Sequence, residues 1–502
     1  MSEDQSSNTL KETKSANYDE LLRLALERGF FFPSAEIYNE APAGFWEYGP
    51  VGLLMRNNLI REWRHRLVRR DDMLEIDGSL ILPKIVFEAS GHLSSLVDPI
   101  VQCTRCGTRM RADKYIAEKT GLQIDERLSP EDFQDLIAKY KLRCPKCGGE
   151  FGKPSKFNMM FRVGVGAEDA DAYLRPETAQ SIFVDFARLS KTMRVKLPKG
   201  IAQVGKSFRN EIAPRQSLIR LRELMQAEIE VFFNPDVKLD DKKFEKIRSV
   251  RMNVLSQPAK DGDEAKQYMA EDAIPVFGGK EIITYHFALL QEYYEAVGFP
   301  NSATRFRELS ASDRAFYTTS AFDFEVKTSI GWLELVACNY RTDYDLSGHG
   351  KMSKKDLTVM DSEKKVLPHV VELSLGVDRS LFALLDNSFV HEPNRDVLRV
   401  SPRVAPYLCA VFPLISKPEF ESKAYSIFET LKLEEFASFY DDSGAIGRRY
   451  RRMDEVGTPY CITVDHQSLA DNTVTLRERD SMNQERIAIG DLASKLRALR
   501  DS

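Results

Sequence analysis

At 502 residues and 43% hydrophobic, the chain is long enough for about two to four domains with their own cores. A formal net charge of -5 with 29% charged residues excludes a generically basic nucleic-acid binder, so such a partner must be met by local patches. No apolar run approaches the ~20 residues that cross a bilayer, and residues 1–16, MSEDQSSNTLKETKSA, lack the apolar stretch of a secretory signal. They read as a disordered tail, and the chain as cytoplasmic.

In chain order, the first strong element is an amphipathic helix over Val51–Arg70, where Leu54, Leu59, Trp63 and Leu67 recur at helical intervals. Its arginines (Arg56, Arg61, Arg64, Arg66, Arg69 and Arg70) read as a solvated face or a subunit interface. Two C-x-x-C pairs follow, Cys103 with Cys106 and Cys144 with Cys147, separated by 37 residues. Gly107, Pro145 and Gly148 supply turns beside them, and four thiolates suit a closed tetrahedral zinc site of structural type. Cys338, Cys409 and Cys461 sit in apolar surroundings and read as buried residues; seven cysteines argue against a disulfide framework. Inside the cysteine bracket, Ser129-Pro130-Glu131-Asp132 predicts a helix start with an N-cap, a proline at the first helical position and acids in the first turn. The stretch near 235–300 is charged and helical in pattern and reads as a helical insert. Near Asn387–Arg403 the composition turns to Asn, Pro, Asp and Arg, which marks a boundary. Beyond it, strands alternate with helices, including one through Glu419–Leu433, as in a compact α/β domain.

The stretch SFRNEIAPRQSLIRLREL, Ser207 to Leu224, predicts an antiparallel hairpin with Ala213–Ile219 as its loop. Alternation places Gln203, Gly205, Ser207, Arg209 and Glu211 on one face of the first strand, with Arg222, Leu224, Gln226, Glu228 and Glu230 sharing a face of the return strand. Guanidinium groups bind phosphate and carboxylates accept from amino groups, so such a face suits a ligand with phosphates at one end and amino groups at another. Cross-strand ion pairs on a wet sheet are the alternative.

FRNE, a long loop and RLRELMQAEIE together resemble motif 2 of the class II aminoacyl-tRNA synthetases, most closely the glycyl-tRNA synthetase family of the archaeal/eukaryotic homodimeric kind. RGFFFPSAEIYN and AGFWEYGPVGLLMRNNLIREWR resemble its motif 1 region, and EASGHL, MRADKY, LRPETAQ, GWLELV and VVELSLGVDRS follow in family order, so the likeness covers almost the whole chain. The resemblance implies an α+β fold: a catalytic domain on a mainly antiparallel sheet flanked by helices, with a zinc-ribbon-like insert and a C-terminal α/β anticodon-binding domain. In this chain those parts fall at 17–97 and 156–390 for the catalytic domain, 98–155 for the insert and 397–502 for the anticodon-binding domain. The activity implied is ATP-dependent ligation of glycine to tRNA(Gly) by a homodimer using Mg2+. A non-catalytic accessory protein on the same scaffold is the alternative; the presence of Arg209, Glu211 and Arg379 argues against it.

Carried over residue by residue, the resemblance implies that Arg209 contacts the α-phosphate, Glu211 the adenine amino group and Arg379 the γ-phosphate end. Asn210, the run Ile219, Arg220, Leu221, Arg222, Glu223 and Leu224, and then Glu334, Leu335, Gly376, Val377 and Asp378 complete the implied ATP site. Glu334 is a candidate Mg2+ ligand. Leu224 replaces the usual phenylalanine, and Ala337-Cys338-Asn339-Tyr340 departs from the family's small-residue pattern. For glycine, the implied residues are Arg111, Glu177, Leu224, Met225, Gln226, Ala227, Glu228, Glu372, Leu373, Ser374, Leu375 and Gly376. The run HGKMSKK, His349 to Lys355, looks like a class I signature but lacks that class's context, and reads as a basic loop. In the last domain, Arg448, Arg449, Arg451 and Arg452 beside Tyr450 form a basic cluster suited to tRNA phosphates and an unpaired base.

Overall fold

The computed structural model describes residues 18–501 apart from 213, 215, 260, 261 and 312, so the N-terminal tail lies outside the described residues. Nine strands of the larger half form one sheet: β1 Leu74–Ile76, β2 Lys199–Phe208, β3 Glu223–Phe233, β4 Arg251–Leu255, β5 Lys266–Met269, β6 Thr304–Glu308, β7 Ser320–Thr328, β8 Gly331–Thr342 and β9 His369–Gly376. Their spatial order is β5-β4-β6-β7-β8-β9-β3-β2-β1. Only the β1–β2 and β4–β6 pairs are parallel.

Alternation gives this sheet two unlike faces. Ala202, Ala227, Ile229, Leu373, Leu375, Val336, Cys338, Phe322 and Phe324 point into the main apolar core. That core is closed by α1 (Pro50–Trp63) and by two later helices, Glu281–Val297 and Val377–Ser388. The opposite face is polar. α2 (Ala179–Thr192) covers part of it, and Phe183 and Phe186 of that helix pack on Phe232. Gly205 is needed where Arg175 crosses β2: a Cβ there would meet Arg175 Nη2 at 2.1 Å.

The stretch near 235–300 is not a helical insert. It contributes β4 and β5 to the sheet, then α3 (Glu281–Val297) to the core. Its charged sequence concealed strands at a sheet edge, where Met252 and Val254 turn inward and Arg251 outward. HGKMSKK is not a loop either. Its first residues end α4 (Tyr344–Ser353), with His349 buried against Gln180 Oε1 at 2.9 Å. The arginine face of α1, and of the π-helical turn Arg64–Arg69 that continues it, is largely tied within the chain: Arg64 to Glu75, Arg66 to Glu62 and Arg70 to Glu292.

The cysteine-bearing segment builds a three-stranded sheet from Val97–Gln102, Arg109–Arg111 and Ser155–Asn158. Its small core holds Val101, Ala112, Ile116 and Phe133. Ser129 caps the helix Pro130–Lys139 in a reciprocal capping box with Asp132.

α5 (Val377–Ser388) leads to the hairpin Phe389–Leu398 and then to a separate five-stranded sheet. Its strands are β10 Cys409–Pro413, β11 Ser438–Tyr440, β12 Tyr460–Val464, β13 Thr473–Glu478 and β14 Gln484–Ala488, in the order β11-β10-β12-β13-β14. Helix α6 spans Pro418–Leu433, α7 Ile446–Val456 and α8 Leu492–Asp501. Pro418 sits at the start of α6, and the expected helix through Glu419–Leu433 is thus present.

The basic cluster on α7 divides. Arg449 is fully buried and donates to the carbonyls of Pro413, Asp442 and Gly444, and Arg452 pairs with Asp441. Tyr450 hydroxyl meets Thr463, and the Arg477 guanidinium lies over its ring. Only Arg448 and Arg451 of the cluster are exposed, so the rest is architecture. The reason is local: the loop before α7 turns its carbonyls inward, and a buried guanidinium satisfies several at once.

Asp454 of α7 joins the two halves. It is 1% exposed and accepts from Arg395 Nη1 at 2.8 Å and from Arg477 at 2.9 and 3.1 Å. Asp454→Ala leaves both guanidinium groups without that carboxylate and should cost about 3–5 kcal/mol. Chemical denaturation followed by circular dichroism measures it.

Candidate active site

The polar face of the sheet is assembled by register. Glu228 lies opposite Gln203 on one side and Ser374 on the other, Gln226 opposite Gly205 and Gly376, and Glu372 opposite Asn339 and Glu230. This matches the phase read from the sequence for the hairpin, although β2 ends at Phe208, so Arg209 and Glu211 stand just beyond it. Gln226, Glu228, Glu230, Asn339, Arg341 and Glu372 are all at most 4% exposed.

Arg341 anchors the group. It is fully buried, donates to both oxygens of Asp345 at 2.7 and 2.8 Å and to Glu372 at 2.7 Å, and stands 3.9 Å from Glu177. Asn339 Nδ2 donates to the other Glu372 oxygen at 2.6 Å. Asn339 therefore helps to hold the Glu372 carboxylate in place. Glu177 also meets His92 Nε2 at 3.2 Å and Gln180 Nε2 at 2.8 Å. Glu228 accepts from the Thr178 amide at 2.6 Å, from Gln226 at 3.1 Å and from the Ser374 hydroxyl.

The carboxyls are pushed apart electrostatically. Burial raises Glu177, but His92 and Arg341 overcome it and hold the group well below the usual carboxylate range. Burial and the neighbouring Glu177 raise Glu228. Burial also raises Glu372, against the pull of Arg341. Glu230, with neither oxygen hydrogen-bonded, is raised well above the normal range by burial and by Glu372.

A cleft of about 970 Å³ opens above this face. Its acidic end is lined by Glu177, Gln226, Asn339, Glu372 and Ser374. Its other end carries Arg209, Glu211, Arg220, Glu334 and Arg379, with Ile219, Leu221, Leu224, Met225, Leu335, Gly376 and Asp378 along the wall. Arg379 donates to Ile219 O at 3.0 Å and pairs with Glu334 at 3.0 Å, and Arg209 Nε donates to Pro176 O at 3.1 Å. Arg307, paired with Asp323 at 2.6 Å, lines the same end.

Other residues expected at the site stand outside the lining. Arg222 donates to the carbonyls of Glu211 and Ala43, Glu223 pairs with Lys206, and the Asn210 amide donates to Met159 O. Ala227, Leu373, Leu375 and Val377 face the apolar core, while Glu228 lies beneath the cleft floor. Arg111 pairs with Asp98, Asp113 and Glu126. Residues missed from sequence include Arg175, whose Nε donates to Lys206 O at 2.8 Å, and His92, Gln180, Tyr317 and Arg341. A charged residue closing an apolar strand, as Arg341 does in LELVACNYR, was the one available signal.

The four cysteine Sγ atoms of the insert lie within 4.8 Å of one another, with Cys103–Cys147 at 3.5 Å and Cys106–Cys144 at 3.6 Å. Thiolates held ~2.3 Å from one tetrahedral ion stand ~3.8 Å apart, so the set fits a single metal ion. The Gly107 and Gly148 amides close the two knuckles on Cys103 O and Cys144 O at 3.0 and 2.8 Å.

A mainly antiparallel sheet that holds arginines and carboxylates along one cleft, with a separate C-terminal α/β domain, is the architecture of a class II aminoacyl-tRNA synthetase. The family described as anticodon binding domain matches residues 408–499. The glycine–tRNA ligase of Pyrococcus horikoshii is 36% identical over 97% of this chain and 99% of its own length. Those of Archaeoglobus fulgidus and Methanocaldococcus jannaschii are each 36% identical over 96% of this chain, and over 96% and 98% of their own lengths. The chain belongs to the glycine–tRNA ligase family.

Asp378 ties the cleft wall together, accepting from the Met225 amide at 2.6 Å and the Tyr48 hydroxyl at 2.5 Å. Burial raises its carboxyl to about 6. Its unfolded value is about 3.9, so the folded state binds the proton more tightly, and this stabilisation is lost as pH rises from about 4 through about 6. Asp378→Asn preserves one acceptor and removes the titration. The wild-type minus variant stability should fall by roughly 3 kcal/mol across that window, measured by urea denaturation at each pH.

Proposed function

We propose that the chain activates glycine with ATP to form glycyl-adenylate, then transfers the glycyl group to the 3′-terminal ribose of tRNA(Gly). The observation that carries this reading is one cleft with guanidinium groups at one end and buried carboxylates at the other. Arg209 and Arg379 bind the triphosphate, and Glu211 accepts from the adenine amino group. Leu224 packs on the base without aromatic stacking. At the acidic end, Glu177 and Glu372 receive the glycine ammonium, with Glu228 and Ser374 beneath and beside them.

Glycine's carboxylate oxygen attacks the α-phosphorus in line, the bond to the bridging oxygen breaks and pyrophosphate leaves. A ribose hydroxyl then attacks the carbonyl carbon and AMP leaves. Positioning and fixed charge supply most of the acceleration. Mg2+ at Glu334, a partly exposed carboxylate on the cleft wall, would neutralise developing charge on pyrophosphate. Zinc at Cys103, Cys106, Cys144 and Cys147 would fix the insert, which brings Arg127 and Lys156 to the cleft mouth. The working form is a cytoplasmic homodimer. Among the described residues no helix is long and apolar enough to cross a membrane.

Amino-acid-dependent ATP–pyrophosphate exchange tests the reading: glycine alone of a panel should support exchange, and exchange with serine or alanine but not glycine would refute it. Glu228→Gln should raise KM for glycine about tenfold or more with a smaller change for ATP, in the same assay. Elemental analysis should find one zinc per chain, lost in Cys103→Ser.

A further inference from the structure

A pocket for glycine has to exclude a single methyl group, which requires a wall that does not yield. The structure contains a stack suited to that task. The Arg341 guanidinium lies between two aromatic rings, 5.0 Å from the Phe183 centroid and 3.7 Å from that of Tyr317. Phe183 is fully buried in the cluster under α2, and Arg341 is held by Asp345 and Glu372. The lower two layers therefore cannot shift without breaking buried ion pairs.

Tyr317, the top layer, lines the same cleft as Glu177, Glu372 and Ser374, within reach of the Glu372 and Glu177 charges. Its own segment is fixed. The Thr318 amide and hydroxyl both donate to Ala315 O, at 3.1 and 3.2 Å. Thr319 donates through its amide and hydroxyl to Tyr340 O, the residue next to Arg341, at 3.1 and 3.3 Å. Arg314 bridges the neck of the same connection, donating to Leu309 O and Thr319 O at 3.0 and 2.9 Å. Aromatic neighbours brace the ring from the side: Phe316 at 5.0 Å edge-on and His92 at 6.4 Å.

We propose that Tyr317, pinned on the Phe183–Arg341 stack, is the specificity-determining wall that keeps amino acids with a β-carbon out of this pocket. The inference rests on the glycine-activating reading above. The ring, rather than the hydroxyl, does the excluding, because its face is what the guanidinium holds in place.

Pyrophosphate exchange with glycine and with alanine, on the full-length enzyme, tests it. Wild type must first show glycine-dependent exchange; if it does not, the functional reading fails and not this one. Tyr317→Ala should raise the alanine-to-glycine ratio of kcat/KM by about tenfold or more, the range expected for one methylene. Tyr317→Phe should keep the wild-type ratio. An unchanged ratio in Tyr317→Ala, with ATP binding intact, overturns the proposal, as does an equal rise in Tyr317→Phe. Should Tyr317→Ala fail to fold, Tyr317→Leu takes its place with the same two outcomes.

Discussion

A guanidinium without access to water has to be met on every side by groups that carry or accept charge, and Arg341 imposes that demand at the centre of the sheet. Asp345, Glu372 and Glu177 answer it from α4, β9 and the turn before α2. The helix that directly follows β8 and two elements distant in sequence are thus bound to one side chain. The aromatic rings above and below complete its coordination. Remove the charge and the carboxylates left behind have no reason to remain in a dry interior.

The same demand explains the uneven proton affinities of the floor. Glu177, beside His92 and Arg341, is held well below the usual carboxylate range, while Glu228 is raised by burial and Glu177, and Glu230 by burial and Glu372. A cluster of acids that cannot all ionise together is one in which an incoming ammonium finds partners without having to strip water from them. The cost of burying these groups is borne by the opposite face, where Ile229, Val231, Leu373 and Phe324 meet the main apolar core.

The sequence was most legible where period and function coincide. The alternation of Gln226, Glu228 and Glu230 placed them on one face, and the register of β2 against β3 has them there. The N-cap at Ser129 and the clustering of four cysteine sulfurs were equally local signals. Reading failed where long-range pairing decides. β4 and β5, at one end of the sheet, are only five and four residues long, too short to show their alternation beside the long helix that follows. Arg449 and Arg452 looked like ligands for an outside anion because nothing local reveals the inward-facing carbonyls and the Asp441 carboxylate that claim them. Arg341 and Tyr317 meet only when β8 and the β6–β7 connection are brought side by side.

The two-faced sheet has a consequence for how the chain reaches this state. A slip of β3 by one residue against β9 would turn β3 over, sending Glu228 and Glu230 into the apolar core and Ile229 into the cleft while β9 keeps Leu373 on the core side. Such a misalignment forfeits both the ion pairs and the packing, so incorrectly zipped sheets are short-lived and correctly zipped ones persist. The acidic residues of the cleft floor therefore act as alignment marks during folding, long before any substrate arrives.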